Sequence, residues 1–358
     1  MDLPAGDVSL IEAGESSFLA VVSQPNGGAV LVPITVDKGK FTLGDETPVG
    51  GTNPFVEDLR AMELHDGSWV VGARTCANSV RSAQLSDCKG YTTTVVHLDN
   101  GKTAVIGNYP ELDSYGFIGE ITDDHLLVQS NDLTAETSQW TYSDLDLKSG
   151  TLRTTAWQPE VVRTVDGVIP VSHSVCASEG AVMQLTVGEP PRRPHLALVS
   201  PDDPDSARSV PLEVDGDPNY LVCETDGTAT LLTSSIAADR ASGTYRTYQV
   251  SASGELTRID EEPFIGEEYG GATGVGSMTV TLAPHKTLAD RKAEAERAIA
   301  EGLPPLRVPQ GPFSLLSLSD GEWTTSPVDP LPSENVWVTG DGHSYLGVSD
   351  NSVRGWNR

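Results

Sequence analysis

The chain has 358 residues, with 23 Lys and Arg against 51 Asp and Glu, for a formal net charge of −28. Hydrophobic residues make up 38%, which suits a folded globular protein with a sizeable core in one large domain or two small ones. The acid excess argues against a nucleic-acid or anionic-membrane partner, because phosphates attract Lys and Arg.

The first ten residues, MDLPAGDVSL, have neither a basic n-region nor an apolar h-region, so no signal peptide is expected there. No run of apolar residues is long enough to span a membrane. From there onward, short alternating strands are punctuated by turn residues at intervals of about ten, an all-β rhythm. The punctuation recurs as SLIEAGESSFLAVVS, AMELHDGSWVVGA, GEITDDHLLVQS, SVCASEGAVMQLTV, LVCETDGTATLLTS, YGGATGVGSMTVTL and VWVTGDGHSYLGVS. Anchored on Gly14, Gly67, Asp124, Gly180, Gly227, Gly274 and Gly342, the spacings are 53, 57, 56, 47, 47 and 68 residues. A second turn (DKGKFTL, DNGKTAVI, KSGTLRTT, PDDPDSARSVPL, ASGELTRI, SDGEWTTSPV) follows each of the first six. Two hairpins per unit make four strands, the pattern of a propeller blade.

In this rhythm the whole chain resembles the seven-bladed β-propeller superfamily. That resemblance implies four-stranded antiparallel blades at about 7–45, 57–107, 115–156, 168–214, 218–260, 265–328 and 334–358. Residues 1–6 are expected to complete the last blade, so that both termini close the ring and remove an exposed edge. Asp166-Gly167 offers a competing turn, and the last interval hides an insertion. The Trp-Asp pair of WD40 repeats is absent, and Ser317–Trp323 lacks the spacing of a sialidase-type Asp box.

In such a ring the tight hairpin turns share one face, which reads here as plain scaffold. The connections between blades and between second and third strands share the other, and long loops on a rigid scaffold are where binding concentrates. Three decorations fall there: CANSVRSAQLSDC, GEPPRRP, and an insertion from about Pro284 to Pro312. Within the insertion a capping box at Thr287–Asp290, helix-forming residues and the stop at Gly302 predict a short helix over about 287–301. Its thin apolar stripe (Leu288, Ala295, Ile299) suits a surface helix, either a docking element or a tolerated insertion.

Acids crowd the expected connections: Glu57 and Asp58; Glu111 and Asp113; Glu160; Glu213, Asp215 and Asp217; Asp260–Glu262; Glu267 and Glu268; Asp329 and Glu334. On one face they would make a negative channel mouth suited to cations or a basic partner; otherwise they only solvate loops. Carboxylates with backbone carbonyls could hold Ca²⁺, but no EF-hand pattern occurs and no cofactor is expected.

Cys76 and Cys88 bracket a loop between neighbouring strands, whereas Cys176 and Cys223 occupy equivalent inner-strand positions of adjacent blades. Of the three pairings open to four cysteines, 76–88 with 176–223 fits the ring best, the first pair more readily than the second. Disulfides would place the protein outside the cytoplasm, as a secreted, periplasmic or cell-surface protein such as an envelope lipoprotein. No C-x-x-C or C-x-x-H spacing points to zinc.

His65, His125 and His343 sit at turns of the plain face, His97 and His195 in third strands, and only His173 enters from the loop side. No Gly-x-Ser-x-Gly elbow or phosphate-binding glycine loop appears. The expected function is therefore a monomeric, non-enzymatic binding module that docks a protein, peptide or glycan on its loop-rich face. The alternative is a hydrolase or lyase acting on a glycan or ester at the channel mouth, with or without Ca²⁺. A third reading makes the propeller one wall of an envelope assembly. For either of the first two, the residues to inspect are Glu57, Asp58, Arg60, Tyr115, His173, Tyr220, Glu267, Glu268 and Tyr269.

Overall fold

A computed structural model describes residues 2–14, 17–24, 29–37, 40–49, 55–76, 91–110, 112, 114–131, 140–156, 161–164, 167–170, 172–178, 181–187, 194–200, 203–224, 227–238, 241–251, 253–274, 277–283, 290, 292–293, 296–297, 300, 313–319, 322–328, 335–339, 344–349 and 352–357. The arrangement is a β-propeller. Six sheets are antiparallel meanders running outward in sequence order, five of four strands and the first with a further short strand on its third. Their inner strands are Asp7–Ala13, Phe55–Glu63, Ser114–Thr122, Ser172–Ser178, Asp217–Cys223 and Glu267–Gly274, the first strands of blades 1 to 6.

The expected seven four-stranded blades are corrected to six. The C-terminal residues form a sheet of three strands, Asn335–Val338, Ser344–Ser349 and Ser352–Asn357. Among the described residues no strand from the N-terminus joins it, so the expected closure by both termini is not found. The local chemistry explains this. Pro4 has no amide proton for a ladder, Gly6 sits at φ 152°, and Asp2 makes an isolated bridge. Leu3 contributes packing instead, buried with Phe18 of blade 1 and Leu346 of the C-terminal sheet.

Each blade is covered on both faces, so its second strand buries residues on both sides and not at alternate positions only. Ser17–Ser23 shows the consequence. Phe18, Ala20 and Val22 pack toward the C-terminal sheet and Leu19 and Val21 toward blade 2, all fully buried. The same two-sided burial repeats around the ring. Leu19 meets Trp69 and Val71, Val70 meets Leu126, Leu127 meets Val182, Leu185 meets Leu231, and Leu232 meets Val280, each pair across successive blades. A fully buried leucine contributes about 2 kcal/mol, so these interblade layers hold the ring.

Turn chemistry follows the sequence. Asn100 and Gly101 both take positive φ, at 48° and 71°, as a two-residue hairpin between Asp99 and Lys102 requires. In blade 1 the outer strand is split into Lys40–Leu43 and Thr47–Val49. The partner there is Pro33, which offers only its carbonyl, taken by the Gly44 amide at 2.8 Å. Val161–Thr164 and Gly167–Pro170, on either side of the expected competing turn, pair as a separate two-stranded sheet between blades 3 and 4 in sequence. The helix expected at 287–301 is represented by residues 290, 292–293, 296–297 and 300, which are helical and exposed, with Lys292 and Glu296 paired at 3.9 Å. The rest of that insertion, residues 188–193 of the GEPPRRP loop and the 77–90 loop lie outside the described residues. No helix among the described residues is long and apolar enough to cross a membrane.

Candidate functional site

All nine residues singled out for inspection lie on inner strands. Glu57, Asp58 and Arg60 belong to blade 2, Tyr115 to blade 3, His173 to blade 4, Tyr220 to blade 5, and Glu267, Glu268 and Tyr269 to blade 6. Seven of them, all but Arg60 and Tyr220, sit toward the beginning of their strands, the end where the interblade connections arrive. Of Glu57, Asp58, His173, Glu267, Glu268 and Tyr269 the structure describes the backbone alone.

A feature absent from the sequence reading organises this end. Every inner strand of the six blades is interrupted by a β-bulge against its second strand, between Val8 and Leu10, Val56 and Asp58, Phe117 and Gly119, Ser172 and Ser174, Pro218 and Tyr220, and Glu268 and Gly270. The residues left over are Ser9, Glu57, Ile118, His173, Asn219 and Tyr269. A bulge leaves a residue outside the ladder and re-aims side chains, which is why bulges collect at barrel rims and sites. Three of the nine candidates (Glu57, His173 and Tyr269) are bulge residues. Asn219 shows what such a residue does here: its amide donates to Ser234 Oγ on the second strand at 2.7 Å.

The remaining candidates divide. Tyr115 is buried between blades 2 and 3, where its ring fills the space left by Gly72; a Cβ at Gly72 would meet the Tyr115 hydroxyl at 2.5 Å. Its ring also packs edge-on to Phe117, with centroids 5.7 Å apart. Tyr220 is half-buried beside the cluster between blades 5 and 6. Arg60 is exposed, and it is the positive charge that acts on Glu12 of blade 1.

The opposite, tight-turn end was expected to be plain scaffold, and this is corrected: it carries a dense network of polar side chains. Ser17 Oγ donates to Glu63, joining blades 1 and 2. The His65 amide donates to Glu120 Oε2 at 2.6 Å, and its Nδ1 lies 3.2 Å from the same oxygen, joining blades 2 and 3. His125 Nδ1 lies 2.8 Å from Asp144, which also faces Arg153 at 3.5 Å. Sequence reasoning missed Glu12, Glu63 and Glu120. The signal was present, because SLIEAGE, AMELHDG and GEITDDH each place a glutamate just before the turn.

Burial sets the acidity of this end. Glu12 is pushed up to about 7 by its removal from water, against the pull of Arg60. Burial also raises Glu120, opposed by the His65 amide. Asp66 goes the other way, held down chiefly by the Ser68 hydroxyl, which donates to it at 2.6 Å. Ser68 Oγ is also 2.7 Å from His97 Nε2. With the hydroxyl proton directed to Asp66, the Nε2–H tautomer of His97 completes the network by donating to Ser68. Among the described residues no cluster of His, Cys, Asp or Glu could hold a metal ion.

Two charge and cysteine expectations change. Asp260, Glu261 and Glu262 are not between blades but on the outer strand Leu256–Ile265 of blade 5, where Glu261 meets Arg246 and Arg258. That edge strand is long, and charges there suit a rim exposed to water. Glu213 and Asp215 do lie in a connection, exposed, with Arg258 3.8 Å from Asp215. Glu111, Asp113, Glu160, Asp329 and Glu334 lie outside the described residues. Cys176 and Cys223, the pairing expected less readily, are disulfide-bonded with Cα atoms 5.6 Å apart, because adjacent inner strands converge on the axis. Cys88 and the Cys76 side chain lie outside the described residues.

No protein-family model matches the chain, and no curated protein matches it. Solved structures do share its fold. An uncharacterized protein from Listeria monocytogenes is 9% identical with a TM-score of 0.54, over 99% of this chain and 95% of that one. An acylaminoacyl peptidase in complex with Z-Gly-Gly-Phe-chloromethyl ketone is 10% identical with a TM-score of 0.54, over 98% of this chain and 51% of that one. The acylaminoacyl peptidase of Pyrococcus horikoshii is 11% identical with a TM-score of 0.51, over 95% and 49%. The chain thus spans about half the length of the peptidases it matches.

Proposed function

We propose that the protein is a propeller binding module that docks a protein, peptide or glycan at the connection-bearing end of its channel, outside the cytoplasm. One observation carries this reading: all six inner strands are bulged, and five of the six bulge residues are polar or aromatic (Ser9, Glu57, His173, Asn219 and Tyr269). Six repeats of the same break in the ladder give the inner strands a recurring unpaired position, and bulges of this kind collect at the sites of sheet proteins. The Cys176–Cys223 bond supports an oxidising compartment. The peptidase likeness supports the scaffold and adds no chemistry to it.

Peptide and glycan arrays probed with the wild-type protein, a Glu57→Ala/Tyr269→Ala variant and an Asp146→Ala variant test the reading. Binding should be lost in the first variant and kept in the second, whose change lies at the turn end, and the captured ligand should be recovered intact. Binding insensitive to both variants would overturn the proposed site. Turnover of the captured ligand would replace the binding module with a hydrolase or lyase.

A further inference from the structure

Three junctions between blades are closed at one register position by three different chemistries. Glu63 stands opposite Trp69, Glu120 opposite Leu126 and Cys223 opposite Ala229, each at the turn end of an inner strand. Trp69, Leu126 and Ala229 all pack toward the preceding blade, so the three inner-strand residues face that way too. Glu63 accepts from Ser17 of blade 1, Glu120 from the His65 amide of blade 2, and Cys223 is bonded to Cys176 of blade 4. From the other side of the first junction, Glu12 stands opposite Leu19 and faces blade 2, as Cys176 stands opposite Met183 and faces blade 5.

We propose that the junctions of blades 1, 2 and 3 form a pH-sensitive seam, tightened when their buried carboxyls hold protons and loosened when they lose them, while the covalent blade 4–blade 5 junction stays closed. The geometry behind it is burial: Glu120 is 5% exposed and Glu12 is half-buried. A carboxylate confined there loses hydration that its neighbours only partly replace. The charged group facing Glu12 is Arg60 from blade 2, and Glu63 lies over Gly14, two residues on. Those facing Glu120 are His65 and Asp66 from the blade 2 turn and Asp123 from its own turn. Burial raises both carboxyls above their unfolded values, so each stabilises the folded state at low pH. That contribution is lost as pH rises through the folded value, near neutrality for Glu12. The seam rests on the interblade contacts alone and is independent of any ligand at the other end.

Hydrogen exchange read peptide by peptide on the oxidised protein, corrected for intrinsic rates, tests it between about pH 6 and about pH 8.5. Peptides covering 8–23 and 55–71 should lose about tenfold in protection as pH rises and those covering 114–128 should lose protection in the same direction, while those covering 172–187 and 217–232 keep theirs. Glu12→Gln should abolish the loss at the first junction and Glu120→Gln at the second. Equal loss on both sides of the ring, no loss anywhere, or a loss unchanged in the variants would overturn the proposal. Should either variant fail to fold, the wild-type protein alone decides: its urea midpoint must fall over the same pH interval, and a flat or rising midpoint overturns the seam.

Discussion

The two ends of the inner strands do opposite things with the same backbone. Toward the end where connections arrive, every blade breaks its ladder with a bulge that leaves one residue unpaired. At the turn end, residues reach across to the next blade: Ser17 to Glu63, His65 to Glu120, and Cys176 to Cys223. One end breaks the ladder in every blade; the other, bulged in blade 3 alone among the described inner strands, adds cross-links. The difference shows how a repeat scaffold separates recognition from cohesion along a strand of under ten residues.

That contrast can be broken by experiment. The largest effect should come from replacing both Cys176 and Cys223 with Ser: releasing a cross-link of sequence separation 47 costs about 4 kcal/mol in chemical denaturation. Ligand capture at the far end should survive; its loss would show that the two ends are coupled. Leu231→Ala in the layer behind that disulfide removes a fully buried side chain and should cost about 3 kcal/mol by the same measurement.

Glu12→Gln sharpens the comparison through its sign. Because the folded carboxyl titrates near 7, the amide should stabilise the protein by about 2 kcal/mol above pH 8. At pH 4, where the carboxyl keeps its proton in both folded and unfolded chains, the gain should vanish; thermal melts at the two pH values read it. Gly67→Ala should cost about 1 kcal/mol, since φ is 80° and the space around it is open, so the strain is of the backbone alone. Smallest of all, Lys292→Ala breaks an exposed helical pair and should shift stability by under about 0.5 kcal/mol.

Much of the scaffold was legible before any coordinates. Runs such as FLAVV within Ser17–Ser23 are apolar at every position because a blade is buried on both faces. The candidate site was legible in part: the nine residues do fall on inner strands, yet nothing in the sequence marked three of them as bulged. A bulge is a register shift between two strands, and one strand's residues do not encode it. The count of blades failed for a related reason. VWVTGDGHSYLGVS has the rhythm of the other units, but a rhythm does not say whether a fourth strand arrives from the far terminus.

By itself, then, the sequence determined the alternation of strand and turn and the two-sided burial, since both rest on neighbours a few residues apart. Tertiary structure decided the three-stranded C-terminal sheet, the ring of bulges, and which cysteines and carboxyls meet across blades. Those depend on groups about fifty residues apart being brought within bonding distance, as Cys176 and Cys223 are at a separation of 47. Convergence of inner strands on the axis accomplishes that, and no local pattern records it.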